Sequence, residues 1–431
     1  TVANTDGSVD YYNYNITGQT YTSQHLTVNA AGVTVLTERF HADGTRDYVQ
    51  TVSADGSKDT VTYNSAGQKI SDINVATDGT RTTLTYDPSS GYLTQSLLQA
   101  ASGVVTTKTY TAGVLMRTTV ANTDGSVDYY NYNITGQTYT SQHQTVNAAG
   151  VTVLTERFHA DGTLDYVQTV AADGTKDTVT YNSAGQKTTD ISLATDGSLT
   201  TLTYDPSSGY LTQSLLQAAS GVVTTKTYTA GVLMRTTVAN TDGSVDYYNY
   251  NITGQTYTSQ HQTVNAAGVT VLTERFHADG TRDYVQTVAA DGTKDTVTYN
   301  SAGQKTTDTL VATDGTQTTL TYDPSSGYLT QSVLQAAGGV VTTKTYTAGV
   351  LTRTVVANTD GSVDYYNYNI TGQTYTSQHL TVNAAGVTVL TERFHADGTR
   401  DYVQTVAADG TKDTVNYNSA GQKTTDTIVT V

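Results

Sequence analysis

One stretch of this sequence occurs four times at a fixed interval. The string NTDGSVDYYNYNITGQTYTSQH begins at Asn4, Asn122, Asn240 and Asn358. Each step is 118 residues, and the copies are nearly identical, so the 431 residues divide into residues 1–118, 119–236, 237–354 and a partial copy at 355–431. Tandem units with such similar neighbours are typical of a stack in which each copy contacts the next. Because the chain begins and ends within the pattern, we expect it to be a piece of a longer protein.

A shorter repeat lies inside each copy. Ten glycines fall at intervals of 10 to 14 residues, from Gly7 to Gly113. Asn, Asp or Ser precedes many of them by three residues, as in Asn4-Thr-Asp-Gly7 and Ser53-Ala-Asp-Gly56. This order predicts a type I turn closed by a left-handed glycine, which is a common β-hairpin loop. The longest interval, from Gly18 to Gly32, predicts a bend or a bulged strand in each copy.

The segments between the glycines have the period of β-strands. In residues 59–63, 82–86 and 106–110, Thr alternates with Val, Leu, Lys or Tyr, and no helical spacing is sustained anywhere. The sequence therefore predicts an all-β fold with ten strands per copy. We expect a continuous antiparallel β-hairpin meander, coiled into an elongated, superhelical repeat structure around a narrow core of Tyr, Val and Leu. Its inward positions include Tyr12, Tyr14, Val49 and Val61, and the opposite face is rich in hydroxyl groups.

Composition excludes several classes of protein and site. The chain has no Cys, which excludes disulfides, thiolate metal sites and cysteine nucleophiles. Its net charge is −16, and without a basic block it is poorly suited to binding nucleic acid. No apolar run is long enough for a membrane helix. No Ser, His and Asp set stands out from the many repeated ones, so we predict a protein without catalytic activity or a bound cofactor.

Short motifs in each copy resemble a known repeat family. Residues 86–93 (YDPSSGYL), 63–69 (YNSAGQK) and 110–115 (YTAGVL) are similar to the YD repeat of Rhs proteins, teneurins and Tc-toxin shells. The wider pattern is similar to repeat arrays of large bacterial secreted or surface proteins of the RTX-adhesin type. The resemblance implies strand–turn–strand units in a spiralling sheet, and an extracellular or cell-surface location. The chain departs from the YD pattern in its frequent Asn for Asp and in the missing Arg after Gly.

Two sets of residues are candidates for ligand binding. The pairs Asp43/Asp47 and Asp55/Asp59 flank turns and are weak calcium candidates, since calcium takes several oxygen ligands. An alternative needs no metal: the first Asp of each pair satisfies the turn, and the second is a solvent-exposed strand residue that aids solubility. Tyr11, Tyr12 and Tyr14 form the densest aromatic cluster, which could stack on sugars or fill the core.

Two histidines recur in each copy, and a hairpin centred on residues 30 and 31 predicts that they are not cross-strand partners. It pairs His25 near Leu36 and His41 near Thr20. His41 takes the turn-opening position before Gly44, so a structural role explains it.

The sequence favours a structural repeat region of a large bacterial extracellular or surface protein, namely a shaft, extender or fibre segment. Its expected partners are other copies of the same repeat, including self-assembly into fibres, or neighbouring domains of a longer chain. One alternative is a multivalent module for extracellular glycans. Another is a YD-type shell that encloses a cargo domain.

Overall fold

The computed structural model describes residues 1–431, and its only regular elements are β-strands. It contains no helix with the length and hydrophobicity that a membrane crossing requires. Contacts divide the chain into two units, Thr1–Ala219 and Ser220–Val431. The all-β prediction is confirmed in each of them.

The first unit contains nineteen strands. They are β1 Val2–Ala3, β2 Val9–Asn13, β3 Ser23–Val28, β4 Thr34–Phe40, β5 Arg46–Val52, β6 Lys58–Tyr63, β7 Lys69–Val75, β8 Arg81–Tyr86, β9 Leu93–Gln99, β10 Val105–Thr111, β11 Val114–Ala121, β12 Val127–Asn131, β13 Ser141–Val146, β14 Thr152–Phe158, β15 Leu164–Val170, β16 Lys176–Tyr181, β17 Lys187–Leu193, β18 Leu199–Tyr204 and β19 Leu211–Gln217.

The second unit contains eighteen strands of the same kinds. They are β20 Val223–Thr229, β21 Val232–Ala239, β22 Val245–Asn249, β23 Ser259–Val264, β24 Thr270–Phe276, β25 Arg282–Val288, β26 Lys294–Tyr299, β27 Lys305–Val311, β28 Gln317–Tyr322, β29 Leu329–Gln335, β30 Val341–Thr347, β31 Val350–Ala357, β32 Val363–Asn367, β33 Ser377–Val382, β34 Thr388–Phe394, β35 Arg400–Val406, β36 Lys412–Tyr417 and β37 Lys423–Val429.

Within each unit, every strand pairs antiparallel with the strand before it and the strand after it, and with no other. This connectivity is the predicted hairpin meander. The strand pattern recurs every ten strands, as β2, β12, β22 and β32 show with the same sequence VDYYN. The predicted number of strands per copy is therefore confirmed.

Most turns have the predicted geometry. In the turn after β4, the Gly44 amide donates to the His41 carbonyl, and the His41 amide donates to the Thr45 carbonyl, at 3.1 and 2.8 Å. Gly44 has φ of 86°, a left-handed conformation that costs a residue with a side chain about 1–2 kcal/mol. The Asp43 carboxylate accepts hydrogen bonds from the Thr45 amide and hydroxyl, which closes the turn further.

Three glycines of each copy lie in other kinds of connection, so the uniform turn prediction is wrong for them. Gly113 follows Ala112, and both have positive φ, which gives a two-residue loop of type I′. Gly91 closes a longer loop through a bond from its amide to the Asp87 carbonyl. Gly18 belongs to residues 14–22, which lie outside the strands and account for the long glycine interval.

The predicted core of Tyr, Val and Leu is not present. No hydrophobic residue is buried, and the buried residues are Ser8, Thr118, Thr155, Thr236, Thr273, Thr354 and Thr391. The accessible surface is 23727 Å², whereas two compact domains of half this mass would together expose about 19,000 Å². The physical reason is that strands contact only their sequence neighbours, so apolar side chains are covered by adjacent strands and remain half-exposed.

The two faces of the sheet differ in a way that alternation alone did not predict. In the second copy, one row of directly opposed residues, on what we call the histidine face, is Tyr130, His143, Glu156, Val167, Val179, Asp190, Leu202 and Ser214. The neighbouring row, on what we call the arginine face, is Asn131, Gln142, Arg157, Tyr166, Thr180, Thr189, Thr203 and Gln213. The aliphatic residues of the first row thus share their face with acids and histidine, whereas others, such as Ile191 and Leu215, lie on the arginine face.

Adjacent glycines in the loop between β29 and β30 provide a matched test of the turn geometry. Gly339 has φ of 88°, and a Cβ there would lie 3.3 Å from Thr359 Cγ2, whereas Gly338 has ordinary φ and open space. We expect Gly339→Ala to reduce amide-exchange protection across residues 329–347 by about 5- to 30-fold, the equivalent of 1–2 kcal/mol. Gly338→Ala should leave it unchanged, as Ser102 and Ser220 at the equivalent positions suggest. Equal effects would contradict the assignment.

Candidate functional site

The most distinctive concave feature occurs once in every copy, on the histidine face. Three consecutive strands, β12, β13 and β14 in the second copy, form a depression that we call the aromatic notch. Its volume is between about 460 and about 540 Å³ in the four copies. In the second copy it is lined by Tyr130, Tyr132, Ser141, Gln142, His143, Glu156 and Phe158.

Strand pairing explains the shape of the notch. Ser141 lies opposite Phe158, and the Tyr132 amide donates to the Met116 carbonyl of β11 at 2.9 Å. A small residue on the central strand therefore separates two aromatic rings on the flanking strands. In the first copy, β1 has only two residues and cannot cover this site, so Tyr14 is 69% exposed there. The equivalent Tyr132 is half-buried.

A cross-strand row of Tyr, His and Glu forms one end of the notch. The rings of Tyr12 and His25 are stacked, with centroids 4.5 Å apart and planes within 1°. On the other side, His25 Nδ1 lies 3.0 Å from Glu38 Oε2. Directly opposed side chains of this kind stabilise an antiparallel pair. The same stack recurs in the other copies at 4.3, 4.4 and 4.3 Å.

A second carboxylate binds the other nitrogen of this histidine. His25 Nε2 lies 3.1 Å from Asp10 Oδ1, and Thr27 Oγ1 donates to the same oxygen at 2.6 Å. Asn4 Nδ2 donates to Asp10 Oδ2 at 2.8 Å. Hydrogen bonds from Thr27, Asn4 and His25 lower the pKa of Asp10 to about 2. The carboxylate is therefore ionised at any physiological pH.

The bridge between two carboxylates favours a charged imidazole. Burial lowers the pKa of His25, but hydrogen bonds to Glu38 and Asp10 outweigh it, and the net effect raises the pKa above its usual 6.5. With both carboxylates ionised, both ring nitrogens have to donate. His25 then has no free nitrogen with which to move a proton to or from a substrate. The row of Tyr12, His25 and Glu38 therefore stabilises the pairing of three strands.

The copies differ at one residue beside this row. Arg46 Nη2 donates to Glu38 Oε1 at 3.1 Å, and Arg282 and Arg400 make the same pair in the third and fourth copies. In the second copy Leu164 takes the position of Arg46, and the Glu156 side chain is 28% exposed, against 16% for Glu38. The notch of the second copy thus has a carboxylate oxygen without a cation.

The predicted tyrosine cluster is divided between the two faces. Tyr12 lies on the histidine face, and Tyr14 lines the notch with it. Tyr11 lies on the arginine face, where its equivalent Tyr129 packs 4.6 Å from the Arg117 guanidinium. Adjacent strand residues point to opposite faces, so Tyr11 does not share a surface with Tyr12 and Tyr14. Glycan stacking by these tyrosines stays a prediction. The prediction of Tyr12 and Tyr14 as core is wrong, since both are exposed.

The four calcium candidates have separate surroundings. Asp43 and Asp55 accept hydrogen bonds from the amide and hydroxyl of Thr45 and Ser57 within their own turns. Those bonds lower the pKa of both carboxyls. No group of three or more His, Asp or Glu is arranged to hold a metal ion.

The other two candidates lie on strands. Asp47 Oδ1 lies 3.8 Å from His41 Nε2. Burial raises the pKa of Asp59, and the neighbouring Asp72, which pairs with Lys69, raises it further. Calcium binding stays a prediction.

The two histidines have different outcomes. His41 contacts Thr20 as predicted, with its Nδ1 3.0 Å from the Thr20 carbonyl. His25 lies opposite Glu38, two residues beyond Leu36, so that prediction is wrong. One residue of the difference comes from the turn, which is centred on Ala31, as the Asn29–Val33 bond and the Val28–Thr34 pair show. The other comes from a bulge: Thr27 pairs with Leu36, which leaves Val35 as an extra residue on β4. Sequence reasoning missed the Tyr12–His25–Glu38 row for these reasons, although each of its residues recurs in all four copies.

Comparisons with known proteins identify no family. No protein-family model and no curated protein matches the sequence. Two crystal structures, of TcdB2-TccC3 and of TcdB2-TccC3-Cdc42, align with 99% and 95% of this chain at 15% and 14% identity. The chain spans 28% of the length of each matched chain, and both TM-scores are 0.17. Agreement of that size is too low to bear on fold or function.

The charged bridge predicts a pH dependence. Because folding raises the pKa of His25, its contribution to stability is complete below about pH 6.5 and is lost as the pH rises through the raised value. In an NMR titration we expect His25 to titrate above 6.5 and Glu38→Gln to lower its midpoint. Asp43→Asn, in a separate turn, is the control and should leave the midpoint in place. A midpoint at or below 6.5 in the unsubstituted protein would contradict the bridge.

Proposed function

We propose that this chain is a structural repeat region of a large bacterial extracellular or surface protein, serving as a shaft, extender or fibre segment without catalysis. The observation that carries this proposal is that, within each unit, strands contact only their sequence neighbours. A protein built in this way has stability that is approximately a sum of local terms, so copies can be added without disturbing those already present.

The dimensions of the repeat suit a spacer. Neighbouring strands lie about 4.8 Å apart, so ten strands span about 48 Å before any coiling. A 118-residue copy thus contributes a fixed increment of length. The side chains are half-exposed and no hydrophobic cluster is buried. Both features support a role that depends on length and exposed surface and not on an enclosed binding site.

The chemistry of the chain supports the same proposal. It has no Cys, so its folding does not depend on the redox state of its surroundings. The histidine in each aromatic notch lies between two carboxylates, and in the first copy both nitrogens of His25 are bound by them. The proposed partners are further copies of the repeat, with assembly into fibres, or neighbouring domains of a longer chain.

Two competing functions remain as proposals. The resemblance to YD repeats supports a shell that encloses a cargo domain, since such shells are built from the same hairpin units. The aromatic notches support a multivalent glycan-binding module, because Tyr and Phe rings flanking a small serine can stack on the apolar face of a sugar. Four equivalent notches on one chain would raise the avidity for a repeating glycan.

Small-angle scattering on chains of different length tests the shaft directly. The 431-residue chain is compared with variants that contain one and two additional 118-residue copies. For a shaft, the maximum dimension should grow by an equal increment per copy, up to about 48 Å each, at a constant cross-section. A maximum dimension that grows as the cube root of chain length would remove the shaft proposal and favour the shell.

A further inference from the structure

All but one of the acids on the strands of each copy lie on the histidine face. These are Asp10, Glu38, Asp59 and Asp72 and their equivalents, as their cross-strand partners show. The exception is Asp47, at a bulge beside Tyr48, the residue that lies opposite Arg39; the Asp47 carboxylate is 3.8 Å from His41 Nε2. In a chain with a net charge of −16, this separation leaves the part of the arginine face around Arg117 without an acid on its strands.

The arginines on this face have no carboxylate partner. The arginines that form ion pairs are Arg46, Arg282 and Arg400, which all reach across to a glutamate of the histidine face. The arginine face instead presents two unpaired arginines in every full copy, and the first copy adds a third, Arg81. In the central part of the chain the recurring ones are Arg117, Arg157, Arg235, Arg275, Arg353 and Arg393. None of these six guanidinium groups makes an ion pair or a hydrogen bond within the protein.

Tyrosine rings fix these guanidinium groups in place. Arg157 lies between Tyr139 and Tyr166, with its guanidinium carbon 4.9 and 4.5 Å from the two ring centroids. Its Nε is buried and has no hydrogen-bond partner, and the same holds for Arg39, Arg275 and Arg393. Arg117 is exposed and stacks on Tyr129 alone. Stacking orders the planar fork while its outer N–H groups stay unpaired.

The surroundings of these arginines suit a long polar chain. Arg117 and Arg157 belong to one cross-strand row and are three strands apart, which is about 14 Å. Asn131 and Gln142 lie between them in that row, and Tyr129 and Gln144 occupy the same two strands in the neighbouring row. The surface between the two positive groups is therefore rich in hydrogen-bonding side chains.

We propose that the arginine face binds a linear acidic polysaccharide, whose carboxylate or sulfate groups engage the tyrosine-stacked arginines and whose hydroxyl groups meet the Gln, Asn and Thr side chains between them. The guanidinium fork matches both kinds of anion in a bidentate manner. The argument rests on the exposed, unpaired Arg117, Arg235 and Arg353, because an arginine without a carboxylate partner, on strands whose acids lie on the other face, favours an anionic ligand. This inference goes beyond the shaft proposal, which is tested separately by small-angle scattering.

Acids at the turns are compatible with this site. Asp165 adjoins Tyr166, which lies opposite Arg157, so the part of the face without a strand acid is the part around Arg117. The connections nearest to Arg117 and Arg157 are residues 111–114, 132–140 and 159–163, and Asp161 is the one acid among them. It is four residues from Arg157, a distance of about 13 Å along an extended strand. At physiological ionic strength charges are largely screened beyond about 8 Å. The turn acids then restrict the ligand to the sheet face and do not prevent its approach.

The test measures binding of the full chain to alginate, to dextran sulfate and to neutral dextran, in 150 mM salt with EDTA. The key variant is R117Q/R235Q/R353Q, which removes three exposed arginines from the arginine face. The matched control is R46Q/R282Q/R400Q, which removes the same charge from the histidine face. The natural Leu164 at the equivalent position of the second copy shows that a neutral residue is accepted there. Circular dichroism checks that both variants fold.

We expect binding to alginate, dextran sulfate or both, with no binding to dextran, and the preferred polymer identifies the anionic group. The R117Q/R235Q/R353Q variant should bind about tenfold more weakly, whereas the control should stay within about twofold. Equal weakening of the two variants would overturn the proposal, since it would indicate nonspecific charge attraction. Absence of binding would also overturn it. A third result would overturn it as well: the chain associates with itself in the absence of polysaccharide, and only the R117Q/R235Q/R353Q variant abolishes this association. The arginine face would then be an interface between copies of the chain.

Discussion

Backbone hydrogen bonding between sequential strands is the interaction on which the rest of this structure depends. No hydrophobic side chain is buried, so no central core holds distant segments together. The ladder instead requires that each strand reverse tightly and meet the strand just before it. Glycines in the left-handed conformation make that reversal possible at every standard turn, as the φ of 86° at Gly44 illustrates.

Side chains contribute where they can span adjacent strands. The Tyr12–His25–Glu38 row joins three strands by stacking and an ion pair, and Arg157 joins the strand of Tyr166 to the loop of Tyr139. In both arrangements each side chain packs part of its surface against a neighbouring side chain, while the rest of that surface stays exposed to solvent. The two arrangements also separate most of the charge between the faces, since the strand acids other than Asp47 and its equivalents lie on the histidine face. The tyrosine-stacked arginines thus have both a structural role and the proposed ligand-binding role, and both roles depend on the same cross-strand packing.

The local elements of the fold could be predicted from the sequence, because they depend on short-range chemistry. Gly positions and Thr alternation located the hairpins and gave ten strands per copy. The core prediction failed because alternation shows which residues share a face and not whether anything covers that face. The partner of His25 was missed because the turn is centred on Ala31 and because one extra residue, Val35, shifts the register further, and no local signal marks that bulge. The arginine face could not be predicted from the sequence, because its residues are identified only when the register of many strands is known.

The heat capacity change on unfolding tests the central claim that this protein is held together without a buried apolar core. Ordinary globular proteins show about 12–15 cal/mol/K per residue, because unfolding exposes buried apolar surface. For 431 residues the lower limit corresponds to about 5 kcal/mol/K. Differential scanning calorimetry should give a value clearly below this limit, since apolar side chains are already half-exposed in the folded state. A value within the ordinary range would contradict the account and show that extensive apolar surface is buried in solution.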